Sequence, residues 1–374
     1  MTTALPRTIP SLPTRWYVDE AHHQREIEAI WRREWLCIGR EADWAAPGDY
    51  RLVPIAGQEL LVLRGEDGEL RAFHNTCRHR GSVLCTESAG HFAGGRIVCP
   101  YHAWTYSLDG QLARTPRRIP CADFDASNYP LYGVALDTWA GFVFINLEPA
   151  PAMTLRESFG SEFDLVASWP LATLRTAHSE THTVACNWKL FWENFMECAH
   201  CPGVHPELSR AVPLYGKGLL RLDDEPNYQP APGDLLEASC GEGVETWSTS
   251  GKLCLPPLPG IDPAAIATGM RFATFFPSAF VVGHRDYVRS VRLHPLGVDN
   301  IEVTLEWYVD PAVPASEVDV KTLTEFGRLV VLQDARACEL AQRGQRSTRH
   351  EAGVLMPQEY DVALFHRWVQ ERLA

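Results

Sequence analysis

Two short loops, Cys77-Arg78-His79 and Cys99-Pro100-Tyr101-His102, offer two thiols and two imidazoles, one of each kind per loop. Zinc sites more often place like ligands together at each end, as in C-x2-C with H-x3-5-H. Mixed arms suit instead a [2Fe-2S] cluster in which two Cys bind one iron and two His bind the other. Neutral imidazoles in place of two thiolates leave less negative charge, which raises the reduction potential above that of all-Cys clusters and makes such a centre an electron relay. Cys85 and Cys121 lie nearby without a partner pattern and read as buried thiols.

A second constellation lies further along. Asn187 can cap a helix running to about His200, with Trp188, Phe191, Trp192, Phe195 and Ala199 on an apolar face. Glu193, Glu197 and His200 recur on the other side, and His205 follows. Continuous helix would swing His205 about 140 degrees away from His200. The Pro202-Gly203 bend between them is predicted to bring both imidazoles together. One carboxylate added to two His gives the facial triad that holds Fe(II) with open positions for dioxygen and substrate. Asp334 fits best: it falls on the margin of a helical stripe of Leu323, Phe326, Val330, Ala337, Leu340 and Ala341, where a carboxylate needs a partner. That partner is iron or, alternatively, a buried Arg. Cys198-x2-Cys201 brackets His200 and offers zinc as a further alternative.

The elements that must position these residues differ along the chain. Residues 1–44 read as an N-terminal helical segment, amphipathic from about Tyr17 to Trp35, that packs on the domain formed by residues 152–374. Residues 45–151 read as a small all-β domain of hairpins: Glu59 to Arg64, the turn Asp67-Gly68, Glu69 to His74, and a run from Ile97 to Tyr106 before Asp109-Gly110. Residues 152–374 read as an α+β domain. In it Ile301 to Val309 alternates as a half-buried strand, and a helix from about Glu317 to Arg343 ends with Gly344 at C′.

With 45% hydrophobic and 22% charged residues over 374 positions, the chain is globular rather than disordered, long enough for two domains. A net charge of -13 and no Lys/Arg-rich run argue against nucleic acid or anionic membrane as partner. No apolar stretch approaches the roughly 18 residues of a membrane span, and the start lacks a signal-peptide core, so the expected address is the cytoplasm. There the eleven cysteines read as thiols, some of them metal ligands, rather than as a disulfide framework.

The stretch AFHNTCRHRG...CPYHAW resembles the Rieske domain of the aromatic-ring-hydroxylating oxygenase α-subunit superfamily, which implies Cys77, His79, Cys99 and His102 as ligands of the [2Fe-2S] cluster. Ala103 stands where many relatives have Gly. NWKLFWENFMECAHCPGVHPEL resembles the catalytic signature of the oxygenases acting on quaternary ammonium compounds: glycine betaine, choline, carnitine and stachydrine. By that resemblance His200, His205 and Asp334 hold the mononuclear Fe(II), and Glu197 and Asn194 are the candidate catalytic residues. Glu197 takes the place of the usual Asp that links the iron to the cluster of the neighbouring subunit, through His102 there. QDARACELAQRG and HRDYVRSVRLHPL extend the likeness over nearly the whole chain; Ala199 and Gln333 depart from the common Tyr and Glu. The resemblance implies a catalytic domain of helix-grip, START-like type and a head-to-tail homotrimer. No G-x-G-x-x-G fingerprint follows a strand, so NAD(P)H electrons must arrive through a separate flavin and iron-sulfur reductase.

A small, betaine-like quaternary ammonium substrate needs an aromatic cage, because its charge cannot donate hydrogen bonds. Trp192, Phe275, Phe276, Tyr287 and Trp307 are the candidates, each also explicable as core; Arg289 and Arg292 would hold a carboxylate. The expected activity is a monooxygenase that hydroxylates or N-demethylates such a compound. An aromatic ring or other small organic acid is the competing substrate. An electron carrier or a zinc-stabilised binding protein is the non-enzymatic alternative, though a carrier would have no use for His200, His205 and Asp334.

Overall fold

The computed structural model describes residues 4–117 and 119–374, which fall into two compact units, Trp31–Gly160 and Met1–Ile30 with Ser161–Ala374. The fold is α+β. The divisions differ from those expected at 44 and 151, for reasons visible in the pairing. Leu36–Arg40 is a strand rather than helix and pairs with Phe142–Asn146, and Trp35 Nε1 donates to Met153 O at 2.9 Å. The expected N-terminal helix is itself divided: Arg15–Val18 ends at Asp19, whose carboxylate caps Glu20–Glu26 by accepting from His22 N.

In the β unit, Gln58–Arg64 and Leu70–His74 form an antiparallel hairpin with Leu61 opposite Phe73. They belong to a seven-stranded sheet, and Arg96–Val98, Thr105–Ser107 and Leu112–Arg114 make a second sheet of three. The run expected to be continuous from Ile97 to Tyr106 is interrupted, because Cys99 N bonds Trp104 O and Ala103 N bonds Cys99 O, closing a loop between two strands. Leu61, Leu63, Phe73, Ile97 and Tyr106 pack into one core that also contains Cys77 and Cys99. Cys85 is buried as expected; Cys121 is exposed.

In the second unit, five antiparallel strands run in the order Arg175–Val184, Asn300–Val309, Val288–Gly297, Ala279–His284, Met270–Phe275. Register places Phe272, Val282, Arg289 and Trp307 in one row across four of them, so these side chains share a face. The strand ending at Val309 alternates only up to Leu305 and is buried on both faces beyond it. The long helix spans Val320–Gln345, started by Asp319, whose carboxylate accepts from Lys321 N and Thr322 N. Gly344 lies inside the helix and not at C′. The buried stripe runs through Leu323, Phe326, Val330, Val331, Ala335 and Cys338, leaving Leu340 half exposed. Asp334 therefore sits within the stripe.

Candidate active site

The helix capped by Asn187 is shorter than expected, Trp188–Phe195, and Glu197 and His200 occupy the turn beyond it. Its buried side is fixed by polar anchors. Lys189 Nζ meets Glu26 Oε1 at 2.6 Å with both side chains fully buried, Trp188 Nε1 donates to Glu26 Oε2, and Trp192 Nε1 donates to Pro277 O. Glu193 does not join the iron-facing side: it accepts from Tyr17 Oη at 2.6 Å and faces His366 Nε2 at 2.9 Å. The bend that unites the imidazoles is also displaced. Pro202 and Gly203 lie within the single turn Cys201–Val204, where a first-turn proline needs no N–H partner, and the break comes at His205 (φ -120, ψ 70).

His200 Nε2 and His205 Nε2 lie 3.2 Å apart, and Asp334 Oδ1 is 2.7 Å from His205 Nε2 and 3.4 Å from His200 Nε2. Neighbouring ligands at about 2.1 Å from one ion are about 3 Å apart, so this spacing fits a single metal. The other ring nitrogens are already committed. His200 Nδ1 donates to Glu197 Oε1 at 2.6 Å, and His205 Nδ1 donates to Gln333 Oε1 at 2.8 Å, while Gln333 Nε2 donates to Glu207 Oε2. Both Nε2 atoms are thereby aimed into the common space. Burial pulls the His200 pKa down, but the Asp334 and Glu197 carboxylates outweigh it and raise it to about 9. Burial likewise opposes ionisation of Asp334, and the two imidazoles still hold its carboxyl below the usual range. Such a site favours a cation. Asn194 Nδ2 stands 3.4 Å from His200 Nε2.

Cys198 and Cys201 form a disulfide, where thiols were expected, which removes the zinc alternative at that pair. His200, His205 and Asp334 line a cavity of about 270 Å³. Its aromatic wall is Phe195, Tyr215, Trp247, Phe272 and Phe280, and Glu197, Asp361 and Arg289 bring charge to it. The expected cage is corrected throughout. Trp192 and Phe275 are packed in the core, Phe275 against Phe163, and Phe276 is half-buried against Trp192 and Phe365. Tyr287 donates its hydroxyl to Trp247 O, and Trp307 is fully buried beside His178. Arg292 pairs with Glu306 at 3.0 Å, leaving Arg289 as the arginine at the cavity. Phe272 was missed through strand parity: it and Phe275 point to opposite faces of one strand.

In the β unit the Cys77 and Cys99 thiols are buried, and burial pushes the Cys77 thiol up. Tyr106 Oη lies 3.3 Å from Cys77 Sγ and accepts from Arg78 N. The His79 and His102 rings meet edge to face at 4.6 Å nearer the surface, His79 stacked on Trp104. Two inner thiols and two outer imidazoles fit the donor set of a Rieske cluster. Ala103 adopts φ +58, the left-handed conformation that explains the glycine common at this position.

Comparison with known proteins identifies both domains. Residues 171–374 match the ring hydroxylating alpha subunit (catalytic domain) and residues 34–129 the Rieske [2Fe-2S] domain. The chain is 30% identical to the glycine betaine monooxygenase oxygenase subunit of Chromohalobacter salexigens, over 97% of this chain and 86% of that protein. It is 26% identical to the chloroplastic choline monooxygenase of Spinacia oleracea, over 96% and 78%. The quaternary ammonium Rieske monooxygenase CntA in complex with gamma-butyrobetaine shares the fold, with a TM-score of 0.73 at 23% identity over 99% and 97% of the two chains. Naphthalene 1,2-dioxygenase from Rhodococcus shares it equally, with a TM-score of 0.73 at 21% identity over 97% and 94%. The chain belongs to the ring-hydroxylating α-subunit family of Rieske non-haem iron oxygenases. It is an oxygenase component, working with a [2Fe-2S] cluster, a mononuclear iron and electrons that a separate reductase draws from NAD(P)H.

Proposed function

We propose that this oxygenase oxidises a small quaternary ammonium compound. The observation that supports it is the cavity beside His200, His205 and Asp334, which combines five aromatic side chains with the carboxylates of Glu197 and Asp361. Ring faces and carboxylates both stabilise a cation that has no N–H to donate. The relatives named for glycine betaine and choline point the same way, whereas the shared fold alone fits naphthalene dioxygenase equally well.

In this reading Cys77, His79, Cys99 and His102 hold the cluster, and His200, His205 and Asp334 hold the iron. When bound, the iron supplies the site where dioxygen is activated with electrons that the cluster delivers. Glu197 and Gln333 keep the Nδ1 protons of His200 and His205 in place, so that both Nε2 atoms remain ligands. Val330, Val331 and the aromatic wall give the cavity its apolar lining. The reaction consumes dioxygen, two electrons and two protons, inserts one oxygen atom into a C–H bond and releases the other as water. At an N-methyl carbon the product is an N-hydroxymethyl group that expels formaldehyde.

The chain is proposed to act in the cytoplasm as a head-to-tail homotrimer, with a flavin and iron-sulfur reductase as partner and no role for nucleic acid or membrane. Glu197 then links His200 to His102 of the next copy. No helix of the described residues is long and apolar enough to cross a membrane. Oxygen consumption with NADH and a reductase tests the substrate class. Trimethylammonium compounds should stimulate it and aromatic acids of similar size should not; the reverse preference would refute the proposal.

A further inference from the structure

Arg289 is only 2% exposed, yet it lines the cavity of the iron triad. Its Nη1 donates to Gly327 O at 3.0 Å, while its Nε has no partner among the described residues. Arg292, on the same strand, is neutralised by Glu306; Arg289 has no carboxylate of its own among the described residues. The nearby acidic charge that acts on it is Asp334, which the iron requires. A buried guanidinium is costly unless an anion meets it.

The long helix is shaped around this side chain. A Cβ at position 327 would come within 3.2 Å of Arg289 Cδ and Nη1, so glycine occupies a helix interior where alanine would be the stronger helix former. Across the sheet, Phe272 stands two strands from Arg289, with Val282 between them. Two strand spacings are about 9.6 Å, room for an anion at the guanidinium and a methylated cation against the ring, a few carbons apart.

We propose that Arg289 is a carboxylate anchor, and that the substrate is a trimethylammonium carboxylate rather than a trimethylammonium alcohol. This rests on the quaternary ammonium reading and narrows it. A hydroxyl can accept a hydrogen bond from the guanidinium but cannot neutralise it. The side chain thus selects among cations that the aromatic wall alone would accept equally.

Equilibrium binding and KM for glycine betaine, gamma-butyrobetaine and choline, in wild type and in Arg289→Met and Arg289→Lys, provide the test. Wild type should bind at least one of the two carboxylates on the order of 100-fold more tightly than choline. Arg289→Met should erase that preference by weakening the carboxylate, with choline little changed, and Arg289→Lys should restore part of it. Choline bound as well as both carboxylates by wild type overturns the inference even if Arg289→Met fails to fold. An equal loss for all three compounds in a folded variant does the same. If none of the three binds and an aromatic carboxylate does, the quaternary ammonium reading itself fails, a distinguishable result.

Discussion

Glu197 and Gln333 perform the same task for two imidazoles: each accepts the Nδ1 proton and so leaves Nε2 facing Asp334. Asp334→Ala should therefore remove the mononuclear iron and turnover while sparing the cluster, lowering iron from about three to about two per chain at unchanged acid-labile sulfide. Metal analysis and the visible spectrum check this. Asp361 gives the cavity a pH dependence. Burial and the neighbouring Asp224 push its carboxyl up to about 6, Arg221 opposing. A group raised in this way costs the fold stability once ionised, yet a bound cation prefers the ionised form. KM for a quaternary ammonium substrate should consequently rise as pH falls below about 6, and Asp361→Asn should lose this acid limb. The metal-site candidates were legible in the sequence because their chemistry restricts residue type. Gln333 and Asp361 were not, since ordinary polar residues announce no role until a fold brings them to a particular atom.

At the scale of elements, the helix Trp188–Phe195 is held by the fully buried pair of Lys189 and Glu26, with Trp188 adding a hydrogen bond to the same carboxylate. Lys189→Met strands Glu26 in the core and should cost about 3 to 5 kcal/mol. Lys189→Met combined with Glu26→Gln should recover part of that loss, as chemical denaturation would show. The helix start at Asn187 was predictable from capping chemistry, whereas the start at Asp319, expected near Glu317, and the helix ends were not. Residues after Phe195 leave the helix, and Glu197 accepts from Ala199 N and His200 N in a local turn that helical periodicity does not register. The cage was misread for a related reason. Phe275 and Phe272 look alike in sequence, and only the strand's phase decides which faces the cavity.

At the scale of the whole molecule, the pattern of hairpins followed by alternating strands and helices revealed two parts, but Leu36–Arg40 joins the β unit only through pairing with a strand about a hundred residues away in sequence. Local periodicity holds no information on such pairing. The proposed head-to-tail trimer makes a specific prediction. Cys77→Ser, lacking the cluster, and Asp334→Ala, lacking the iron, should each be inactive; subunits mixed and reassembled should regain about a quarter of the wild-type rate, the chance that an intact cluster meets an intact iron in a random ring. Electron transfer within one chain would give no rescue. The central claim is tested most directly by a single turnover: protein reduced with dithionite, freed of reductant, then mixed with dioxygen and a trimethylammonium carboxylate. Cluster oxidation should accompany hydroxylated or demethylated product in an amount comparable to the bound mononuclear iron, and Asp334→Ala should give none. Cluster oxidation without product from any trimethylammonium compound, alongside product from an aromatic acid, would contradict the account.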